Sequence, residues 1–175
     1  MLRLVLFRHA KADRPEDYPH DRDRALTEKG QDAARGMGQW LEEQGIVPDL
    51  VLCSPSVRTR ETWELASGAF DPPPPVTFEK LIYEASAEEL LGVVRDTAGD
   101  VRTLLLVGHN PGIENLTSML AESAEPEVAE RFEKKFPTGA IAVLDFEDMP
   151  WAAIEQKEAW LFAFETPKHL GIKGE

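Results

Sequence analysis

Three short apolar runs, Leu2 to Phe7, Leu50 to Cys53 and Thr103 to Val107, constrain the fold most, because each stops abruptly at polar residues. An apolar run without alternation belongs to a strand covered on both faces, as in a parallel sheet held between helices. Parallel neighbours need long crossovers, and helical patterns stand between these runs. The predicted fold class is therefore α/β: a three-layer α/β/α sandwich with a largely parallel central sheet. No internal repeat or long linker divides the chain, so residues 1–175 are expected to form a single domain.

Residues 11–26 are polar and read as a loop. From Thr27 a helix is expected, with Ala33, Ala34, Met37, Trp40 and Leu41 on one face and Gly45 at its end. Ser54-Pro55 predicts a second helix running to about Gly68, with proline at its first position. Asp71-Pro72-Pro73-Pro74-Pro75 is a stiff connector, and Val76 to Tyr83 reads as extended after it. Ser86-Ala87-Glu88-Glu89 has capping-box spacing ahead of Leu90, Leu91, Val93 and Val94. Asn110-Pro111 is expected to cap and open a helix carrying Ile113, Leu116, Met119 and Leu120. A short helix follows Pro126, with Val128, Phe132 and Phe136 at fourfold spacing, and Ala140 to Phe146 and Lys157 to Phe164 complete the strands. Trp40, Trp63, Trp151 and Trp160 read as core or half-buried residues.

Charge narrows the partners. With 32 acidic and 19 basic residues the formal net charge is −13, a sign that opposes nucleic acid and anionic membranes. No apolar run approaches the roughly 20 residues that span a bilayer, and the first apolar stretch is too short for a signal peptide. One cysteine, Cys53, forms no internal disulfide, which points to a reducing compartment, the cytoplasm. The same negative charge repels a phosphorylated substrate at long range, so any phosphate must be held by a local cationic cluster.

Such a cluster is present in the pattern. Arg8-His9 follows the first apolar run, Ser54 to Arg58 the second, and Gly108-His109-Asn110 the third. Ligands of open α/β sheets bind beyond the carboxyl ends of the strands, where these side chains converge. Two arginines offer N–H forks that match phosphate oxygens, and the helix start after Asn110 offers free amides. A neutral imidazole is a competent nucleophile toward phosphorus. Arg22, Arg24 and Arg60 read as surface charges, as do His20 and His169. The histidine spacing matches no metal-ligand pattern, and neither metal nor cofactor is expected.

Arg8-His9-Ala10 resembles the Arg-His-Gly signature of the histidine phosphatase superfamily, the phosphoglycerate mutase-like fold. Leu26-Thr27-Glu28-Lys29-Gly30 is similar to that family's Leu-Thr-x-x-Gly stretch, and Ser54 to Thr62 to its Ser-x-x-x-Arg-x-x-x-Thr segment. Gly108-His109-Asn110 resembles its late Gly-His motif. The compact length, Leu81 to Ser86, and Pro137-Thr138-Gly139-Ala140 look most like the SixA-type phosphohistidine phosphatases. The resemblance implies His9 as nucleophile, Arg8, Arg58 and His109 as phosphate-binding residues, and Arg58 rather than Arg60 as the second arginine. Two departures stand out. Ala10 replaces a common glycine, which requires negative φ or room for a methyl group. The family's usual catalytic glutamate has no clear counterpart; Glu84 is the nearest candidate and Glu79 a poorer one.

The missing acid bears on the substrate. An alkoxide leaving group needs a proton, whereas imidazole, with an ordinary pKa of about 6.5, departs with little help. The expectation is a phosphatase acting on a phosphorylated partner, a phosphohistidine protein. The alternatives are a small-molecule phosphomonoesterase and, from another class, a phosphate-binding module without turnover. The presence of both histidines and both arginines speaks against the last.

Overall fold

The computed structural model describes residues 1–173. In chain order its elements are β1 (Leu2–Arg8), α1 (Glu28–Glu43), β2 (Leu50–Cys53), α2 (Val57–Ser67), β3 (Val76–Phe78) and α3 (Ala87–Arg95). Then come β4 (Thr103–Gly108), α4 (Gly112–Leu120), β5 (Ala121–Ala124), α5 (Pro126–Lys134), β6 (Ile141–Phe146) and β7 (Ala159–Glu165). One seven-stranded sheet has the order β3-β2-β4-β1-β6-β7-β5. Strand β6 is antiparallel to both its neighbours, β1 and β7, while all other pairings are parallel.

The alternation of side chains along a strand explains the layers. Val5, Phe7, Leu105, Val107, Ile141 and Val143 face one way and pack against Met37 and Leu41 of α1 and Trp63 and Ala66 of α2. Leu4, Leu6, Leu104, Leu106, Ala142 and Leu144 face the other way, against Leu90 and Val94 of α3 and Ile113 and Leu116 of α4. Both faces of β1 and β4 are therefore dry, and an apolar run without alternation is the result. Helices α1 and α2 come together closely at Gly38, where a Cβ would run into the Ala66 carbonyl.

The three runs and the capping box at Ser86 are as expected, with Ser86 and Glu89 bonding each other's backbone amides. Several boundaries differ. The second helix begins at Val57, because Ser56, not Ser54, accepts the Thr59 amide as its cap. Val76 to Tyr83 is extended only over β3; Lys80–Ile82 then forms a 3₁₀ turn whose Leu81 amide bonds the Glu79 carboxylate. Phe136 lies beyond the end of α5, yet its ring still meets Phe132 edge-on at 6.1 Å. The last strand starts two residues later than Lys157, and edge strand β5 has no apolar signal in its Ala-Glu-Ser-Ala sequence. Trp63 and Trp151 are buried and Trp40 is partly so, but Trp160 stands exposed on β7.

Candidate active site

The parallel register aligns Arg8 with Gly108 and Cys53 with Val107, so β2, β4 and β1 end side by side. The residues just past each strand end are thereby brought into one place. The His9 amide donates to the Gly108 carbonyl at 3.1 Å, and the Ser54 amide to that of Val107 at 3.1 Å. Helix α2 then turns Arg58, on its first turn, back over the strand ends. His9, Arg58 and His109 are all buried, with 8%, 5% and 7% of their surface exposed, and Arg8 is half-buried beside them.

The histidines have defined tautomers. His9 Nδ1 lies 2.7 Å from the Ala10 carbonyl, which only accepts, so Nδ1 carries the proton and Nε2 keeps a free lone pair. Burial lowers the His9 pKa to about 3; its Ala10 bond opposes this, while His109, Arg58 and Arg8 add to it. His9 Nε2 receives Arg58 Nε at 3.4 Å. His109 Nδ1 receives Arg58 Nη2 at 3.3 Å, which leaves Nε2–H to donate to Ser54 Oγ at 2.8 Å. Burial, assisted by Arg58, lowers His109 to about 4. The two rings stand 5.5 Å apart, and Tyr83 meets His109 edge-on at 5.3 Å. The structure thus juxtaposes two neutral imidazoles with two guanidinium groups.

Arg8 reaches the same place from the other side. Its Nη1 donates to the Phe136 carbonyl at 2.8 Å, and its buried Nε has no partner among the described residues. That buried N–H is able to donate to an anionic ligand. The loop entering β6 holds the main chain here, as the Gly139 amide donates to the carbonyls of Arg8 and His9. Ala10 meets its constraint: φ is not positive, its methyl packs with Leu26 and Ala34, and its amide donates to Thr62 Oγ1 at 3.0 Å.

Other expectations need correction. The free amides expected after Asn110 are largely used, since Ile113 N donates to the His109 carbonyl and Glu114 N to Asn110 Oδ1. Helix α4 starts only at Gly112, so Asn110 caps it from two residues ahead. Arg24 is no plain surface charge: its Nη1 donates to Asp21 Oδ1 at 3.0 Å and its Nε to the Asp13 carbonyl at 2.9 Å. Arg60, His20 and His169 are exposed, as expected.

Asp21 is the site residue that the sequence pattern does not reveal. It comes from a 3₁₀ turn at Asp21–Asp23 within the polar loop and accepts from Arg58 Nη2, Arg24 and the Tyr83 hydroxyl. Burial works against its charge, but these three donors outweigh burial and hold the carboxyl well below the ordinary carboxylate range. Five acidic residues between Asp13 and Asp23 look alike in the sequence, and nothing in their spacing singles this one out.

Beside this cluster lies a cleft of about 430 Å³, lined in part by Asp21, Arg58, Glu84, Glu89, His109 and Asn110. Glu84 is exposed there with φ of 54°, a left-handed conformation uncommon for a residue with a Cβ. Glu79 is committed to its turn. Among the described residues no group of three or more His, Cys, Asp or Glu side chains is arranged to hold a metal ion, and no helix is long and apolar enough to cross a membrane.

Comparison with known proteins identifies the family. Residues 4–99 match the model of the histidine phosphatase superfamily, branch 1. An uncharacterised protein of Mycobacterium tuberculosis is 36% identical over 163 residues, covering 92% of this chain and 99% of the relative. The solved structure of a candidate phosphohistidine phosphatase SixA from Nakamurella multipartitia is 31% identical, with a TM-score of 0.80, covering 95% of this chain and 96% of that one. A protein histidine phosphatase SixA solved with tungstate shares the fold at TM-score 0.77 and 22% identity, over 97% and 99% of the two chains. By sequence and by fold, the chain belongs to the histidine phosphatase superfamily.

Proposed function

We propose that this phosphatase removes the phosphoryl group from phosphohistidine on a protein partner, through a phosphohistidine intermediate on its own His9. The observation that carries the reading is the free Nε2 of neutral His9, facing the N–H groups of Arg58 in a buried, cationic recess. His9 Nε2 attacks phosphorus, the new P–N bond forms, and the bond to the leaving nitrogen breaks. A substrate imidazole protonated on its second nitrogen departs neutral and needs no acid. Water then attacks the phosphohistidine, releasing phosphate and returning the electron pair to Nε2. Arg8, Arg58 and His109 bind the phosphoryl oxygens and offset the charge that develops on them. When phosphoryl oxygens replace the Arg58 contact, the Ser54 hydroxyl donates to His109 Nε2 instead, and the neutral ring then offers Nδ1–H as a hydrogen bond rather than a full charge.

The negative surface leaves these arginines as the local attraction for phosphate. The cytoplasm, where phosphorylated proteins and reduced thiols coexist, fits the single free, buried Cys53. Glu84 favours a second reading, a small-molecule phosphomonoesterase, because its carboxyl is exposed at the same cleft. A substrate panel separates the two. The purified protein is expected to hydrolyse a phosphohistidine protein and phosphoramidate efficiently, and sugar phosphates and phosphotyrosine slowly. Equal or better rates on sugar phosphates would replace the first reading with the second.

A further inference from the structure

Arg58 presents two forks of N–H groups, and the structure uses them differently. The end fork is closed by one residue: Nη1 donates to the Asp21 carbonyl at 2.9 Å and Nη2 to Asp21 Oδ2 at 2.9 Å. The side fork, Nε and the second Nη2 hydrogen, faces His9 Nε2 at 3.4 Å and His109 Nδ1 at 3.3 Å. The 2.9 Å contacts, one to a carbonyl and one to a carboxylate, are full hydrogen bonds from a charged donor, whereas N–H···N contacts beyond 3.2 Å are weak. The first pair anchors the guanidinium. The second is easily exchanged for phosphoryl oxygens lying between the two imidazoles.

Asp21 is itself fixed from outside. Arg24 holds Oδ1 at 3.0 Å, and the Tyr83 hydroxyl donates to Oδ2. Its carboxylate stays ionised, so it has no proton to give a leaving group, and it touches the fork that does not face His9. A guanidinium on a long side chain has many rotamers, and its value to a transition state depends on being aimed before the substrate arrives. We propose that Asp21 is a positioning residue, which closes the end fork of Arg58 so that its side fork points between His9 and His109 at the transferring phosphoryl group. The inference rests on the reading in which Arg58 binds that group. It gives the polar loop of residues 11–26 a task in the reaction that its sequence does not reveal.

A double-mutant cycle tests this, with phosphoramidate as substrate and the full chain. Asp21→Ala is expected to lower kcat/KM by roughly 10–100-fold, the scale of a misplaced catalytic group, but to change the Arg58→Ala protein by less than about twofold. Asp21→Asn, whose amide oxygen still accepts from Nη2, is expected to recover most of the loss. Orthovanadate, which mimics the transition state, should inhibit Asp21→Ala less well, in step with the rate. Inorganic phosphate should inhibit it as well as before or better, since a nearby negative charge is gone. A fold defect would not divide the two oxyanions in this way. An equal loss from Asp21→Ala with and without Arg58, or a rate within about twofold of wild type, overturns the positioning role alone. Near-wild-type activity of Arg58→Ala overturns the site reading as well.

Discussion

His9 Nε2 and Arg58 Nε face each other at 3.4 Å inside a recess where both side chains are more than nine-tenths buried. A lone pair and a cationic donor that close share whatever binds between them. His9→Ala is therefore expected to abolish turnover, and His109→Ala to leave slower chemistry through the same nucleophile. Mapping the phosphate on a rapidly quenched enzyme, without acid, checks the assignment. Phosphate on His109 or on a serine contradicts it.

Arg58 and Arg60 sit two residues apart on one helix, yet only Arg58 turns inward. Loss of a charge donor at the transition state typically raises the barrier by about 2–4 kcal/mol, the decrease in kcat/KM expected for Arg58→Ala. Arg60→Ala should cost far less. Steady-state kinetics on one substrate decides, and equal effects would mean that Arg58 has no special part in binding the phosphoryl group.

Burial also makes the histidines a source of acid sensitivity. Their folded pKa values of about 3 and 4 lie below the ordinary value of about 6.5. Between those limits the unfolded chain binds more protons than the folded one, so stability rises with pH across that window. Lowering the pH from about 6.5 toward 4 should destabilise the wild type more steeply than His9→Asn or His109→Asn. Urea unfolding over that range measures the slopes; identical slopes would exclude a contribution from these two rings.

Glu84 offers a separate test of the leaving-group chemistry. If no carboxylic acid assists departure, Glu84→Gln is nearly silent on every substrate, and wild-type kcat/KM falls steeply as the leaving-group pKa rises. That is the expected outcome. A series of aryl and alkyl phosphates with phosphoramidate measures it. Efficient hydrolysis of alkyl phosphates, lost in Glu84→Gln, restores the monoesterase.

The dry strands are legible in the sequence because burial on both faces leaves an unbroken apolar run, and topology alone places the residues after each run. Phe136 and Gly139 are not legible as supports of Arg8 and His9, since they act through main-chain atoms that any residue carries. Edge strand β5 is not legible because hydrogen bonds to β7, rather than burial, define it. Asp21 escapes for a third reason. Its meaning depends on where a polar loop folds back, and local spacing carries no information on that.

The order β2-β4-β1 has a consequence for the chain while it is being made. β1 and β2 are not partners; each waits for β4, which begins only at Thr103. Until then β1 has no neighbouring strand and β2 has only the short β3, and loop closure over so many residues is slow compared with local helix formation. A nascent chain stalled before Thr103 thus carries His9 and Arg58 but no sheet to join them. Chemistry and cohesion would arrive together, in the few residues that lead from β4 to His109.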